Sequence, residues 1–259
     1  ILIDGAALMK IALIQMEVDS GQKDRNIRHA FQLLEQAVPN SDVLVLPELW
    51  TIGYAFHNLE LNATRLGDSL ISGLSSFANF HHVTLEAGTL PVEVNGKISN
   101  MGIVFGPNGE IQAQYSKRHL FYGYEESKLM VPGNSLMNTE INGVKTGMAV
   151  CYEFYFPRMW RKMAKSGVTL VLAPASWPAV HIPQWEVLTR ARAIENGICV
   201  CAVNMAGEYH GLKLGGHSLF IDPTGKVEAE AGDGKEILYG EYDEIRYRDL
   251  GKQLAVIRL

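Results

Sequence analysis

Four short apolar runs, each delivering a polar residue at its end, constrain this chain more than any other feature of its sequence. The run 42–47 ends at Glu48 and the run 144–150 ends at Cys151. The run 168–173 is followed by Ser176 and Trp177, and the run 198–203 by Asn204. Apolar segments of this length between helical patterns read as buried strands of a sheet covered by helices. Helix-period patterns occupy 26–38, 69–80 and 185–196, the last closed by Gly197 as a natural left-handed terminator. Turn signals at Asn95-Gly96, Pro107-Asn-Gly109, Asn142-Gly143 and Pro223-Thr-Gly225 predict hairpins. The expected class is therefore α/β with mixed sheets, antiparallel pairs joining a parallel core.

The order of elements recurs. Leu44-Val-Leu-Pro47, a helix, a strand at 83–89 and Ile103-Val-Phe-Gly-Pro-Asn-Gly109 form one series. Leu170-Val-Leu-Ala-Pro174, a helix, the strand 198–203 and Leu219-Phe-Ile-Asp-Pro-Thr-Gly225 form the other. Two related layers forming a single domain over 9–259 fit this pattern and a length of 259 residues. Residues 1–8 precede the first strand pattern and are expected to be an extension. The apolar content of 47% excludes a disordered chain, and a net charge of −5 disfavours a nucleic-acid surface. No run reaches the roughly 20 apolar residues of a membrane span. Three cysteines make no disulfide framework, so a reducing, cytoplasmic setting is expected.

Ligands of open α/β sheets bind beyond the carboxyl ends of strands, where Glu48, Cys151, Ser176, Trp177 and Asn204 all fall. Cys151 precedes Pro157, which suits the first turn of a helix. A helix N-terminus there would lower the thiol pKa and cradle an oxyanion. The competing reading is a buried structural cysteine. Glu48, at the end of an apolar strand, is expected to have a raised pKa and to serve as a general base, or else to be a solvated loop acid. Lys117 follows a hairpin strand and is equally compatible with a solvated charge. Cys199 and Cys201 alternate within an apolar strand and read as core. No nucleotide loop and no zinc-ligand spacing is present, so no metal or cofactor is expected.

Three segments taken together carry a resemblance. Leu46-Pro-Glu48-Leu-Trp50, Tyr115-Ser-Lys117-Arg-His-Leu120 and Val150-Cys151-Tyr-Glu-Phe-Tyr-Phe-Pro157 occur in the order Glu, Lys, Cys. With Glu126-Ser127, Pro132-Gly133, Arg190-Ala-Arg-Ala-Ile-Glu-Asn196 and Gly216-His-Ser218, the chain resembles the nitrilase superfamily of carbon–nitrogen hydrolases from Met9 to about Tyr242. The resemblance implies a four-layer αββα sandwich and a homodimer or larger homo-oligomer. It also implies a catalytic set: Glu48 as general base, Lys117 as electrostatic stabiliser, Cys151 as nucleophile and Glu126 as a second, positioning glutamate. The implied reaction converts a small-molecule amide to an acid and ammonia through a thioester, the oxyanion held by Lys117 and the Tyr152 amide. N-carbamoyl hydrolysis, nitrile hydrolysis and acyl transfer to an amine use the same groups.

Tyr152 after the nucleophile is similar to the amidase branches. Amidases of this family that act on ω-amides of dicarboxylic acids usually read Cys-Tyr-Asp-x-Arg-Phe-Pro. Here Glu153 and Tyr155 replace the Asp and the Arg. A tyrosine cannot make a bidentate charged pair with a carboxylate. The expected substrate-binding residues are Tyr54, Phe121, Tyr152, Tyr155, Ser176 and Trp177, with Tyr122 and Tyr124 as further candidate walls.

Overall fold

The computed structural model describes residues 8–123 and 125–253. The first half runs β1 (Leu8–Gln15), α1 (Lys23–Ala37), β2 (Val43–Val45), α2 (Leu59–Asn62), α3 (Ser69–His81), β3 (Thr84–Val94), β4 (Lys97–Phe105) and β5 (Ile111–Ser116). The chain continues through α4 (Glu126–Leu129), β6 (Thr139–Ile141), β7 (Val144–Met148), α5 (Pro157–Lys165), β8 (Leu170–Pro174), α6 (Ile182–Asn196) and β9 (Cys199–Val203). It ends with a small hairpin, β10 (Glu208–Tyr209) and β11 (Leu212–Lys213), then β12 (Leu219–Ile221), β13 (Val227–Glu230), β14 (Glu236–Asp243) and α7 (Glu244–Gln253). The expected extension 1–8 lies outside the described residues except for Leu8, which opens β1.

Two six-stranded sheets carry the fold, ordered β14-β1-β2-β3-β4-β5 and β13-β12-β9-β8-β7-β6. Each has three parallel strands at its centre, β1-β2-β3 in one and β7-β8-β9 in the other. Antiparallel strands flank the parallel core on both sides. All four turn signals sit in hairpins. Asn95, Gly96, Asn142 and Gly143 have positive φ, the backbone that two-residue hairpins with a primed turn require. Gly197 closes α6 at φ 61°, as its position predicts.

The period-2 alternation of side chains makes four layers. On β1, Ala12 and Ile14 join Leu33 and Leu34 of α1 and Leu74 of α3 in an outer layer. Met9, Ile11 and Leu13 face the other way, against Leu170, Leu172, Cys199 and Cys201 of the second sheet. Val171, Val200 and Ala202 pack outward against Trp160 of α5 and Trp185 of α6. This is the αββα sandwich that the resemblance implies, with each sheet hidden on both faces, and it explains the uninterrupted apolar runs. One residue breaks the pattern. Glu86 on β3, opposite Val45 and Val104, is fully buried, and neither carboxyl oxygen has a well-formed hydrogen bond. Burial pushes its carboxyl well above the usual range, the nearby Gly88 amide offsetting only part of the shift.

Candidate active site

The carboxyl ends of β2, β7 and β8 converge, and Glu48, Cys151 and Ser176 meet there. Glu48 follows β2 and is buried. Its Oε1 accepts from Lys117 Nζ at 2.7 Å and from Asn100 Nδ2 at 2.9 Å. Its Oε2 accepts from Ser176 Oγ at 2.7 Å, and Cys151 lines the same recess. Lys117, just past β5, is likewise buried and reaches Glu126 Oε1 and Oε2, both at 3.0 Å. Glu126 opens α4 and is fixed by the Phe121 amide at 2.8 Å and by Asn100 Nδ2 at 2.7 Å. Two buried carboxylates, one buried ammonium and one half-buried thiol thus share a site.

Cys151 follows β7 in a left-handed backbone conformation, φ 48°, which is uncommon and strained for a residue with a side chain. It opens a 3₁₀ turn, Cys151–Tyr155, that joins β7 to α5, and α5 begins at Pro157 as the sequence suggests. Glu153 holds this turn. Its buried carboxylate accepts from Val150 N (2.8 Å), Tyr115 Oη (2.7 and 2.9 Å), Arg118 N (2.9 Å) and His119 N (3.2 Å). One side chain therefore ties the Cys151 turn to the segment that carries Lys117.

Two electrostatic expectations are reversed. The Cys151 thiol is pushed well above its usual pKa, by burial first and by the Glu48 charge second, and Lys117 and the Ser176 amide do not offset them. Burial also acts to raise Glu48, but the Lys117 ammonium and the hydrogen bonds from Lys117 and Ser176 outweigh it and hold the carboxyl below its usual value. Lys117 is raised: burial lowers it, and the charges of Glu126 and Glu48 more than compensate. The resting site is a neutral thiol beside an ionised carboxylate, not a preformed thiolate.

Tyr54, Phe121, Tyr152, Tyr155, Ser176 and Trp177 all line one cavity of about 320 Å³, together with Cys151. Pro178 and His181 complete it. The Tyr54 hydroxyl donates to the Ser176 carbonyl. Tyr155 and Trp177 stack with centroids 5.6 Å apart. Tyr122 is 79% exposed and lines no part of this cavity, and Tyr124 lies outside the described residues. A smaller recess of about 30 Å³, bounded by Glu48, Lys117, Glu126 and Cys151, adjoins it. Asn204 turns away, bonding the Trp177 amide (2.7 Å) and the Gly216 carbonyl (2.7 Å). Sequence reasoning missed Asn100, Glu153 as an anchor, and His181. Asn100 follows Ser99 in the polar first half of β4, and none of the three carries a local mark in the sequence.

Among the described residues, Glu186, His217 and Glu230 bring three ligand-type atoms within 4.8 Å of one another. None lines the cavity, and a 2.7 Å bond from His217 Nδ1 to Glu230 Oε1 already accounts for the grouping. No helix among the described residues is long and apolar enough to cross a membrane.

A buried Glu-Lys-Cys cluster at the strand ends of an αββα sandwich defines a hydrolase of carbon–nitrogen bonds. The chain belongs to the carbon–nitrogen hydrolase family, whose sequence model matches residues 10–250. It is 36% identical over 233 residues to a 2-oxoglutaramate amidase of Bacillus subtilis, covering 90% of each chain. The structure of Nit3 from Saccharomyces cerevisiae, a branch 10 member of the nitrilase superfamily, superimposes with a TM-score of 0.88 at 29% identity, covering 95% of this chain and 94% of that one. An amidase from Nesterenkonia sp. AN1, with the acetamide moiety of fluoroacetamide covalently added at its active-site cysteine, matches with a TM-score of 0.82 at 27% identity, covering 96% and 95%.

Proposed function

We propose that this protein hydrolyses a small-molecule amide to a carboxylic acid and ammonia through a thioester on Cys151. The observation that carries the reading is the convergence of Cys151, Glu48 and Lys117 on one small recess, with Lys117 Nζ 2.7 Å from Glu48 Oε1. Because the thiol is neutral at rest, Glu48 takes its proton as the sulfur attacks the amide carbon. The developing oxyanion is met by a Lys117 N–H and the Tyr152 amide. Glu48 then returns the proton to the leaving nitrogen and ammonia departs. Water, deprotonated by Glu48, attacks the thioester; the C–S bond breaks, Glu48 returns the proton to the Cys151 sulfur, and the acid leaves. Glu126 and Asn100 hold Lys117 and Glu48 at fixed separation throughout. The acetamide adduct on the active-site cysteine of a glutamate-to-glutamine mutant of the Nesterenkonia amidase supports a nucleophilic Cys151.

The test is ammonia release from a panel of amides, nitriles and carbamoyl compounds, with peptide mapping of the acyl adduct after an acid quench. Amide turnover with the adduct on Cys151 is expected. Undiminished turnover by Cys151→Ala overturns the mechanism, and a preference for nitriles overturns the branch. Association as a homodimer belongs to the same reading, and sedimentation of the purified chain checks it.

A further inference from the structure

Two cavities meet at one side chain. Tyr155 lines the 320 Å³ cavity that holds Cys151, and it also lines a separate recess of about 310 Å³ bounded by Arg118, Arg158 and Lys162. The two cavities differ in charge. Among the described residues, no lysine or arginine lines the Cys151 cavity, whose walls are mainly aromatic, and its one titratable nitrogen belongs to His181. The His181 Nδ1 is engaged with Gln184 Oε1 at 2.8 Å. Lys117 lines only the inner recess, and its ammonium is held by Glu48 and Glu126. The cations of the outer recess lie beyond Tyr155, which is tilted against Tyr152 (centroids 5.5 Å apart) and stacked on Trp177.

We propose that the acyl group accepted here is uncharged at its far end, aliphatic or aromatic, and that Tyr155 sets this preference by walling the acyl pocket off from the basic recess. The proposal rests on the hydrolase reading above and narrows its substrate class. A substrate carboxylate entering the pocket would lose its hydration and find no cation in return, an expensive exchange in an apolar site. It would also approach two carboxylates balanced by a single ammonium. An apolar chain loses nothing on entry and covers aromatic surface. The volume is about twice the ~150 Å³ in which a benzene ring is held, which leaves room for an aryl group and a short linker.

The experiment compares kcat/KM for hexanamide and 3-phenylpropionamide with that for succinamate and glutaramate, at pH 8 where an imidazole is uncharged. Wild type, Tyr155→Arg and Tyr155→Phe are measured alongside calorimetric binding of the same amides to Cys151→Ala. Wild type is expected to favour the uncharged amides at least a hundredfold. Tyr155→Arg narrows that ratio tenfold or more, and Tyr155→Phe keeps it within a few-fold. Equal or better turnover of succinamate by wild type overturns the proposal, as does a ratio that Tyr155→Arg leaves unmoved. If no amide is turned over, the hydrolase reading fails by itself. The binding order on Cys151→Ala then decides the preference: tighter binding of the uncharged amides supports it, and tighter binding of the carboxylates sinks it.

Discussion

The two sheets share a strand order, yet their strand ends do different work. Glu48 and Ser176 occupy corresponding places, each beyond the middle parallel strand of its sheet, and they meet through a 2.7 Å hydrogen bond. The first sheet contributes Glu48, Asn100 and Lys117, a buried network in which each charge is paired and the Asn100 Nδ2 donates to both carboxylates. The second contributes the strained Cys151 and most of the aromatic wall, Tyr152, Tyr155 and Trp177. Under the proposed mechanism this is a division of labour: one layer supplies the proton acceptor and the other supplies the attacking sulfur and the wall that the substrate meets. Charges could be buried in the first layer because each finds its partner there, whereas an unpaired ion would instead be neutralised.

Substitutions in the two layers should therefore fail in different ways. The largest effect belongs to the second: Cys151→Ala should lower ammonia release by about 10⁴-fold or more, with a melting temperature close to that of wild type by scanning calorimetry. Next comes the first layer, where Glu48→Gln should lower kcat by roughly 10²- to 10⁴-fold and by the same factor for every amide. An amide-dependent loss would break the division.

The pH profile sharpens it. Glu48 is held below the ordinary glutamate value of 4.5, so kcat/KM should keep its base ionised through neutral pH and fall only below that value. Folding linkage has the same sign. The stabilisation from Glu48 is complete above its unfolded pKa and is lost as pH falls through its lower folded one. Lys117, raised in the fold, keeps its contribution below its ordinary 10.5 and loses it only as pH climbs through the folded value. Stability measured by denaturant titration should therefore drop on the acid side of pH 4.5, and a flat profile there would contradict the pairing.

Smaller and opposite in kind, Trp177→Ala should raise KM for apolar amides about tenfold, near 1.4 kcal/mol, while kcat changes less. Glu86 takes no part in the site, and its effect is on stability with none on turnover. Its raised folded pKa means that stability declines as pH climbs from the unfolded value toward the folded one. Glu86→Leu should therefore stabilise the protein at neutral pH by about 1–3 kcal/mol, seen as a higher midpoint in urea, with the gain shrinking toward pH 4. A loss of stability would show that the carboxyl has a partner.

Much of this was legible in the chain. The apolar runs, the Asn-Gly turns and the Gly197 terminator reflect local sterics and period, so β2, β7, β8, β9, their hairpins and α6 appear where the residues put them, within a few positions. Glu48 and Cys151 were legible as strand-end residues, whereas Lys117 was assigned by the resemblance to the carbon–nitrogen hydrolases and not by its place in the chain. Asn100 and the anchoring role of Glu153 were not legible, since an amide in a strand or an acid in a turn has no local mark of what it bonds. The pKa directions of Cys151 and Glu48 were misread for the same reason. Local position suggested a helix dipole and partial desolvation, whereas burial and the Glu48 charge decide Cys151, and the Lys117 ammonium 2.7 Å away decides Glu48.

The sequence alone determined the elements, their layering and the residue types that reach the strand ends, because backbone propensity and apolar period are local properties. Only the tertiary structure decided the charge state of the nucleophile, the pairing that makes two buried carboxylates tolerable, and the placement of Tyr155 between an apolar pocket and a basic recess. Those depend on distances between residues tens of positions apart, and electrostatic energy in a low-dielectric interior is set by such distances.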